Sequence, residues 1–286
     1  MQARRIQLAT GLGYNVWEWD GPGETTFVLV HGFTDLGAGW CEVAPRLAPH
    51  GHVIAPDLRG HGDSDRIGPG GYYHFLDYAA DLDDVIRQLA RPRVVLVGHS
   101  MGGTVAGYYA GARPARLARL VLVEGLGPPD QSGAGGPTRT ALWIDAWRAA
   151  RAKEPRPLPS LEEAARRLQK NDELLDEALA RKLAELGTRE VPGGYAWKHD
   201  PVHMTLGPYP FRLDVARAHW ERVTCPVLVV DGGRSRLNLP EAERAARRAS
   251  FARHRHLVIE GAGHAVQRHQ PARLAEAILA HAAEDA

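Results

Sequence analysis

Ser100 lies in a sequence pattern that produces a nucleophile. The apolar run Val94 to Val97 leads through Gly98-His99-Ser100-Met101-Gly102, a Gly-x-Ser-x-Gly motif, directly into a segment with helical character. A sharp turn between a buried strand and a helix strains the serine backbone and exposes its hydroxyl group. Glycines are needed at 98 and 102 because side chains there would collide across the turn. The pattern predicts that Ser100 attacks a carbonyl carbon and forms an acyl-enzyme.

A serine hydroxyl needs a base, and His264 is placed to act as one. It follows the short apolar run Leu257 to Ile259 within Gly261-Ala262-Gly263-His264. A loop after that strand lies on the same sheet edge as Ser100, so His264 can accept the Ser100 proton and later return it to a leaving group. The sequence has 14 histidines, and three others near this strand remain rivals for the role: His269, His254 and His256.

A second loop offers the donors that stabilise the attacked carbonyl. His31-Gly32-Phe33 follows the apolar run Phe27 to Val30, and a loop there can bring the backbone N–H of Phe33 beside that of Met101. Two such donors form an oxyanion hole. The sequence therefore predicts nucleophile, base and oxyanion hole at one edge of a sheet.

The elements that position these residues alternate between strands and helices. Short runs rich in Val and Ile predict buried strands, and alternation with helices implies a mostly parallel sheet with right-handed crossovers. An antiparallel hairpin at Ile6 to Ala9 and Val16 to Trp19 completes a predicted α/β sheet of eight strands, with helices on both faces. The other predicted strands are 27–30, 53–55, 94–97, 120–123, 227–230 and 257–259, and the predicted helices are 76–90, 101–112, 240–250 and 271–281.

Between Gly125 and Val223 the strand pattern stops. The segment is charged and predicts helices over 138–153, 161–169 and 173–186. We interpret 127–221 as a helical cap inserted into a core domain of 1–126 and 222–286. Such a cap would lie over the ligand-binding edge of the sheet.

Composition limits the partners. The 35 Lys and Arg residues nearly balance 34 acidic ones, giving a formal charge of +1, so no overall field recruits nucleic acid or an anionic membrane. Cys41 and Cys225 lack the spacing of a metal site or disulfide framework. The N-terminal residues lack the continuous apolar stretch of a signal peptide. We therefore expect a soluble, cytoplasmic protein that binds a small molecule, and the sequence leaves its oligomeric state open.

Four motifs together resemble the α/β-hydrolase superfamily. They are His-Gly-Phe at 31–33, Asp-Leu-Arg-Gly-His-Gly-Asp-Ser at 57–64, the serine turn at 100, and Gly-Ala-Gly-His at 261–264. The resemblance implies that 57–64 is a structural loop near the pocket and not a metal or phosphate site. It also implies a hydrolase that needs no metal or organic cofactor. Within the cap, segments such as Glu124 to Pro129 and Gly193 to Trp197 resemble the subgroup called serine hydrolase-like proteins, which implies no settled substrate.

A serine nucleophile and a histidine base are completed by an acid that orients the histidine, and together they form a catalytic triad. The resemblance identifies this acid less directly than the other two residues. In the superfamily the acid commonly lies a few residues beyond the strand equivalent to 227–230, and here that position holds Ser235. A second arrangement places it at the end of the preceding strand, where this chain has Glu124. We favour Glu124, with Asp231 as the alternative. Either carboxylate would orient His264 and stabilise its imidazolium form.

We expect an ester as substrate, because alkoxides leave more readily than amines. Amide, lactone or carbon–carbon bond hydrolysis and cofactor-free perhydrolysis fit the same residues, since fold alone does not separate them. A catalytically silent ligand-binding homologue is the rival from another class. Epoxide hydrolases and haloalkane dehalogenases of the superfamily carry Asp where this chain has Ser100, so we do not expect either activity. The candidates for pocket walls are Trp40, His99, Trp143 and Trp197, although such aromatic residues more often pack a core.

Overall fold

The fold is taken from a computed structural model that describes residues 1–152, 156–236 and 239–284. Its ten strands are β1 (Gln2–Gln7), β2 (Gly13–Trp19), β3 (Thr25–Val30), β4 (His52–Pro56), β5 (Arg93–His99), β6 (Arg119–Val123), β7 (Thr188–Val191), β8 (Gly194–Trp197), β9 (Val227–Gly232) and β10 (His254–Ile259). The helices are α1 (Ala44–Leu47), α2 (Phe75–Leu89), α3 (Met101–Ala112), α4 (Pro137–Ala152), α5 (Leu161–Asn171), α6 (Glu177–Gly187), α7 (Leu213–Trp220), α8 (Glu241–Arg248), α9 (Val266–His269) and α10 (Pro271–Ala283). Lys153, the last residue of the helix predicted over 138–153, and residues 285 and 286 of the predicted core domain lie outside the described part.

Eight strands form one sheet in the order β1-β2-β4-β3-β5-β6-β9-β10. β1 pairs with β2 and β2 with β4 in antiparallel register, and all other neighbours are parallel. This arrangement confirms the predicted mostly parallel sheet of eight strands with an antiparallel edge. Because β3, β5, β6, β9 and β10 are parallel, their carboxyl ends meet at one edge, where ligands bind in open α/β sheets.

Alternating strand residues separate two cores on the two faces of the sheet. On β6, Leu120 and Leu122 pack in the core formed with α2, α3 and α7, whereas Val121 and Val123 pack in the core formed with α1 and α10. The central strands are buried on both sides, which is why each is a continuous apolar run with no polar alternation.

The chain between β6 and β9 leaves the sheet, where the sequence predicted a cap. Helices α5 and α6 pack on each other and form a third apolar cluster with Trp197 and Cys41. Besides helices, the insertion contains the hairpin β7–β8, which the sequence analysis did not predict. Helix α7, within the predicted 127–221 insertion, packs against α3, and Trp220 at its end lies in the core between the sheet and α3. The assignment of 127–221 to a separate cap stays a prediction.

Among the described residues, no helix combines the length and the apolar composition needed to cross a membrane.

Candidate active site

Ser100 occupies the turn between β5 and α3. Its φ of 52° and ψ of −117° lie outside the usual regions for a residue with a side chain. The Ser100 N–H donates to Val123 O at 2.9 Å, which ties the turn to β6. A Cβ atom at Gly98 would lie 2.4 Å from Gly102 O, and one at Gly102 would lie 2.4 Å from Val30 O. Only glycine fits at these two positions, as the sequence predicted.

The structure brings His264 and Glu124 together. His264 Nδ1 lies 3.2 Å from Glu124 Oε2, so the imidazole N–H donates to the carboxylate and leaves Nε2 for a proton from a nucleophile. Glu124 directly follows β6 and has a φ of 51°. Its carboxylate also accepts from Gly232 N–H at 2.7 Å and from the Ser235 hydroxyl at 2.8 Å. The donors at Gly232 and Ser235 therefore hold the Glu124 carboxylate against His264.

Asp231, the alternative acid, faces a different set of groups. Its Oδ2 lies 2.8 Å from His256 Nε2 and 3.2 Å from Arg244 Nη1, and Arg248 is also near at 3.8 Å. Within the described part of the chain, no hydrogen bond or ion pair joins Asp231 to His264.

The rival histidines have structural partners as well. His269 accepts from Gly263 N–H at 3.0 Å and pairs with Asp172 at 2.8 Å. His254 bonds to Phe251 O, and His256 bonds to Asp231. His264 alone among these four lines the same cavity as Ser100 in the part of the chain that is described.

Two buried histidines hold the predicted oxyanion loop. His31 Nε2 accepts from Leu58 N–H at 3.0 Å, and His61 Nε2 accepts from Thr34 N–H at 3.2 Å. Burial lowers the pKa of both imidazoles, which keeps each ring neutral and able to accept. The loop they brace places Phe33 beside Ser100 on the cavity wall.

The backbone N–H groups of Phe33 and Met101 are available to a ligand, because neither has an acceptor among the described residues. Met101 is also the first residue of α3, where the partial positive charge of a helix N-terminus favours an oxyanion. This geometry fits the predicted oxyanion hole.

In the loop over 57–64, which the resemblance implied to be structural, the protein itself supplies the partners of Asp57. Buried Asp57 accepts from Asn15 Nδ2, from Trp17 Nε1 and from the N–H groups of Gly37 and Asp63. The described residues contain no cluster of three or more His, Cys, Asp and Glu side chains that could hold a metal ion.

His99 was predicted as a pocket residue, and the structure gives it a positioning contact. Its Nε2 donates to His264 O at 2.9 Å, and its Nδ1 accepts from Gln267 Nε2 at 3.1 Å. Burial and the neighbouring His264 ring lower the pKa of His99 well below its usual value, so the ring is neutral and this pattern of one donor and one acceptor is satisfied. His99 thus anchors the backbone of the loop that carries His264.

Two cavities meet at Ser100. The aromatic cavity, about 450 Å³, contains Ser100, Met101, Glu124 and His264 in its wall, and most of its other lining residues are aromatic or proline: Phe33, Tyr72, Tyr73, Phe75, Tyr78, Pro128, Pro129, Pro208, Tyr209 and Phe211. The polar cavity, about 600 Å³, shares Phe33, Ser100 and His264 with it and is otherwise lined largely by polar and charged residues: Thr34, Asp35, His99, Lys170, Asn171, Asp172, Glu173, Arg234, Arg236 and Arg268. A molecule bound at Ser100 can therefore extend to two sides of different polarity.

Three of the four residues predicted to line the pocket do not line either cavity at Ser100. Trp40 is 1% exposed and packs in the core with α1 and α10, because it lies in a 3-10 turn that covers the sheet. Trp143 contacts the ring of Tyr72 but is not among the residues lining either cavity at Ser100. Trp197 lies on β8 and lines two other pockets, neither of which has Ser100 in its wall. Of the four candidates, His99 alone borders a cavity that contains Ser100.

The sequence analysis missed most of the aromatic wall. Four of its residues form the run Tyr72-Tyr73-His74-Phe75, which precedes and begins α2. The available signal was three aromatic rings, Tyr72, Tyr73 and Phe75, at the end of the loop that follows the 57–64 motif, next to the start of α2. Arg139 on α4 also lines this cavity and was not singled out.

Comparisons with known proteins place the chain in a family. A model of the alpha/beta hydrolase family matches residues 27–277. The chain is 30% identical over 190 residues to a serine hydrolase-like protein of Danio rerio, covering 65% of this chain and 57% of that protein. It is 34% identical over 118 residues to the soluble epoxide hydrolase of Corynebacterium sp. strain C12, covering 41% of each.

Among solved structures, the thioesterase domain from the curacin biosynthetic pathway superimposes with a TM-score of 0.86 at 28% identity, covering 98% of this chain and 99% of that domain. The alignments to the first four curated relatives span only 28% to 57% of those relatives' own lengths. The family match covers most of the chain and includes the serine turn and the histidine loop. This chain therefore belongs to the alpha/beta hydrolase family.

Proposed function

We propose that the protein is a serine hydrolase that cleaves a carboxylic ester of a small molecule through a Ser100–His264–Glu124 triad. The observation that carries this proposal is the contact of 3.2 Å between His264 Nδ1 and Glu124 Oε2, in a cavity that Ser100 also lines. The carboxylate selects the tautomer of His264 whose Nε2 is free to act as a base.

In the proposed reaction, Ser100 Oγ attacks the ester carbonyl while its proton passes to His264 Nε2. The negative charge on the carbonyl oxygen is stabilised by the N–H groups of Phe33 and Met101. The tetrahedral intermediate breaks its C–O bond, and the alkoxide leaves with the proton from His264. A water then gives its proton to His264 and attacks the acyl-enzyme, releasing the acid and restoring Ser100.

The nucleophile argues against the chemistry of the epoxide hydrolase relative. Serine attack is promoted here by a base and by two N–H donors, an arrangement that stabilises a carbonyl oxyanion. We do not propose epoxide hydrolysis, because the superfamily members that open epoxides carry Asp at the position of Ser100.

A thioester is the second candidate substrate. Support comes from the likeness to the curacin thioesterase domain, which extends over 98% of this chain. The same steps apply, with a thiolate leaving in place of an alkoxide. Comparing a p-nitrophenyl ester with an N-acetylcysteamine thioester of the same acid separates the two candidates by kcat/KM.

The first experiment is hydrolysis of short- and medium-chain p-nitrophenyl esters by wild type, Ser100→Ala and a control, Ser250→Ala. Ser250 lies beyond α8, away from both cavities at Ser100. We expect Ser100→Ala to lose turnover by at least about 10⁴-fold, as triad nucleophiles do, and Ser250→Ala to stay within about twofold. Circular dichroism confirms that all three are folded.

A fluorophosphonate probe gives a readout that does not depend on the substrate. Mass spectrometry should find the adduct on Ser100 in wild type and no adduct in Ser100→Ala. An unlabelled wild type that also hydrolyses no ester would contradict the proposal and favour the ligand-binding alternative. Retained turnover in Ser100→Ala would overturn the role of the nucleophile.

A further inference from the structure

Helix α4 buries a charge and exposes apolar side chains. Of its sixteen residues, all of them described, only Arg139 is buried, at 8% exposure. Leu142 and Ile144 on the same helix are 55% and 38% exposed. Removing a guanidinium from water is unfavourable unless it is paired with an anion. A helix that buries its arginine in preference to its leucine therefore points to a partner for that charge.

The described residues give the Arg139 guanidinium a hydrogen-bond acceptor but no anion. Arg139 Nε donates to Gly207 O at 2.8 Å, which uses one of the five N–H donors of the guanidinium. Within the described part of the chain, no Asp or Glu side chain forms an ion pair with Arg139, and its side chain has no other hydrogen-bond partner. Burial raises the pKa of the nearby Tyr72 phenol, and the charge of Arg139 opposes that rise. The positive charge thus lies beside an aromatic ring without a carboxylate to neutralise it.

Arg139 lines the same cavity as the triad. In the described wall of the aromatic cavity it is the one Lys or Arg side chain, and Glu124 is the one carboxylate. Glu124 is engaged by Gly232, Ser235 and His264, so it is not available to Arg139. The cavity therefore combines a serine nucleophile, apolar walls and a cation with unused donors.

We propose that Arg139 binds a carboxylate carried on the acyl group of the substrate. This inference rests on the proposed function, since it concerns which acid is esterified. An acyl carbonyl at the N–H groups of Phe33 and Met101 has the apolar walls of the aromatic cavity available to its chain, while the leaving group has the polar cavity. The planar fork of arginine matches a carboxylate with two parallel hydrogen bonds. The preferred substrates are then monoesters or thioesters of dicarboxylic acids.

The test compares two esters with acyl chains of equal length. Mono-p-nitrophenyl adipate ends in a carboxylate and p-nitrophenyl hexanoate ends in a methyl group, and the adipate chain is long enough to disfavour internal attack on the ester. We expect wild type to prefer the adipate ester by at least about tenfold in kcat/KM. Arg139→Gln should lose about 10- to 100-fold on the adipate ester, chiefly through KM, as removal of a charge-assisted pair does. The same variant should stay within about threefold on the hexanoate ester.

Two control variants distinguish recognition of the substrate carboxylate by Arg139 from a purely structural role of this residue. Arg148→Gln changes an exposed arginine on the same helix and should leave both esters unaffected. Arg139→Lys keeps the charge without the planar fork and should be intermediate on the adipate ester. Equal losses on both esters in Arg139→Gln would overturn the proposal, because they would show that Arg139 only anchors Gly207.

A binding measurement separates this inference from the proposed hydrolysis. In the Ser100→Ala background, calorimetry with free adipate should detect binding that Arg139→Gln abolishes and that hexanoate does not reproduce. If both esters are hydrolysed equally by wild type and Arg139→Gln, hydrolysis stands and the anion site is wrong. If no ester is hydrolysed but adipate binds through Arg139, the anion site stands and the hydrolysis proposal is wrong. Absence of adipate binding would overturn the anion site.

Discussion

The carboxyl ends of β6 and β9 lie side by side, and each carries a buried carboxylate. Glu124 follows β6 and contacts His264, whereas Asp231 lies within β9 and contacts His256 and Arg244. Both acids are on the correct edge of the sheet, so position along the strands does not distinguish them. The distinction comes from the backbone at each residue.

Asp231 keeps strand geometry, so its side chain alternates onto the same face as Val229, towards the arginines of α8. Glu124 has left the strand with a φ of 51°. Had β6 continued in extended conformation, alternation would have sent Glu124 to the face of Leu120 and Leu122. The positive φ of Glu124 therefore accompanies a strand-end carboxylate that points towards His264.

The strongest test of this comparison is the paired substitution Glu124→Gln and Asp231→Asn. Glu124→Gln should lower kcat by about 10³- to 10⁴-fold, because an amide favours the wrong tautomer of His264. Asp231→Asn should stay within about threefold. The measurement is steady-state hydrolysis of the best p-nitrophenyl ester, and a larger loss in Asp231→Asn than in Glu124→Gln would contradict the assignment of the acid.

Stability should rank the two variants in the opposite order. Asp231→Asn leaves a neutral amide beside Arg244 and the buried Arg248, which both still pair with Glu241. We expect the free energy of unfolding to fall by about 2 kcal/mol, as for lost hydrogen bonds to charged groups. Glu124→Gln should lose less, since no arginine pairs with Glu124 in the described structure. Urea denaturation followed by circular dichroism gives both values. Equal stability of Asp231→Asn and wild type would show that Asp231 does not stabilise the fold through its arginine contacts.

A smaller effect should come from moving the acid to residue 235. The Ser235 hydroxyl lies 2.8 Å from Glu124 Oε2, the atom that contacts His264. We expect the double variant Glu124→Gln/Ser235→Asp to regain about 10- to 100-fold of the kcat that Glu124→Gln loses, because the new carboxylate is near His264 Nδ1. Ser235→Asp alone is the control, and it should not exceed wild type, since it places two carboxylates together. No recovery in the double variant would show that only the β6 position orients the histidine.

The sheet was predictable from sequence because its signal is local. Each central strand is an apolar run bounded by turn residues, and all eight strands of the sheet were anticipated within a few residues. Ser100 and His264 were singled out in the same way, since their motifs are contiguous and follow strands. Glu124 needed the resemblance to a known family in addition, because a carboxylate at a strand end carries no local sign of its direction.

The cavity walls were not predictable because they depend on contacts between distant segments. Trp40 and Trp197 have the chemistry of pocket residues, yet Trp40 packs in the core with α1 and α10 and Trp197 packs against α5 and α6. The aromatic run at 72–75 lies at a loop end, where no periodicity shows which way the rings point. Arg139 resembles a solvated helix residue in the sequence, and its burial appears only when α4 is placed over the loop that contains Gly207.

The positive φ angles at the site also bear on how this enzyme tolerates change. Within the described chain, three non-glycine residues have positive φ: Thr34 beside the oxyanion loop, Ser100, and Glu124. Each such residue costs on the order of 1 kcal/mol or more, and glycine would relieve it. Selection for thermostability alone would therefore favour glycine at Ser100 and Glu124, the proposed nucleophile and the proposed acid. A programme that evolves this protein for heat resistance must therefore screen for turnover at every round, since glycine at either position would remove the proposed nucleophile or acid.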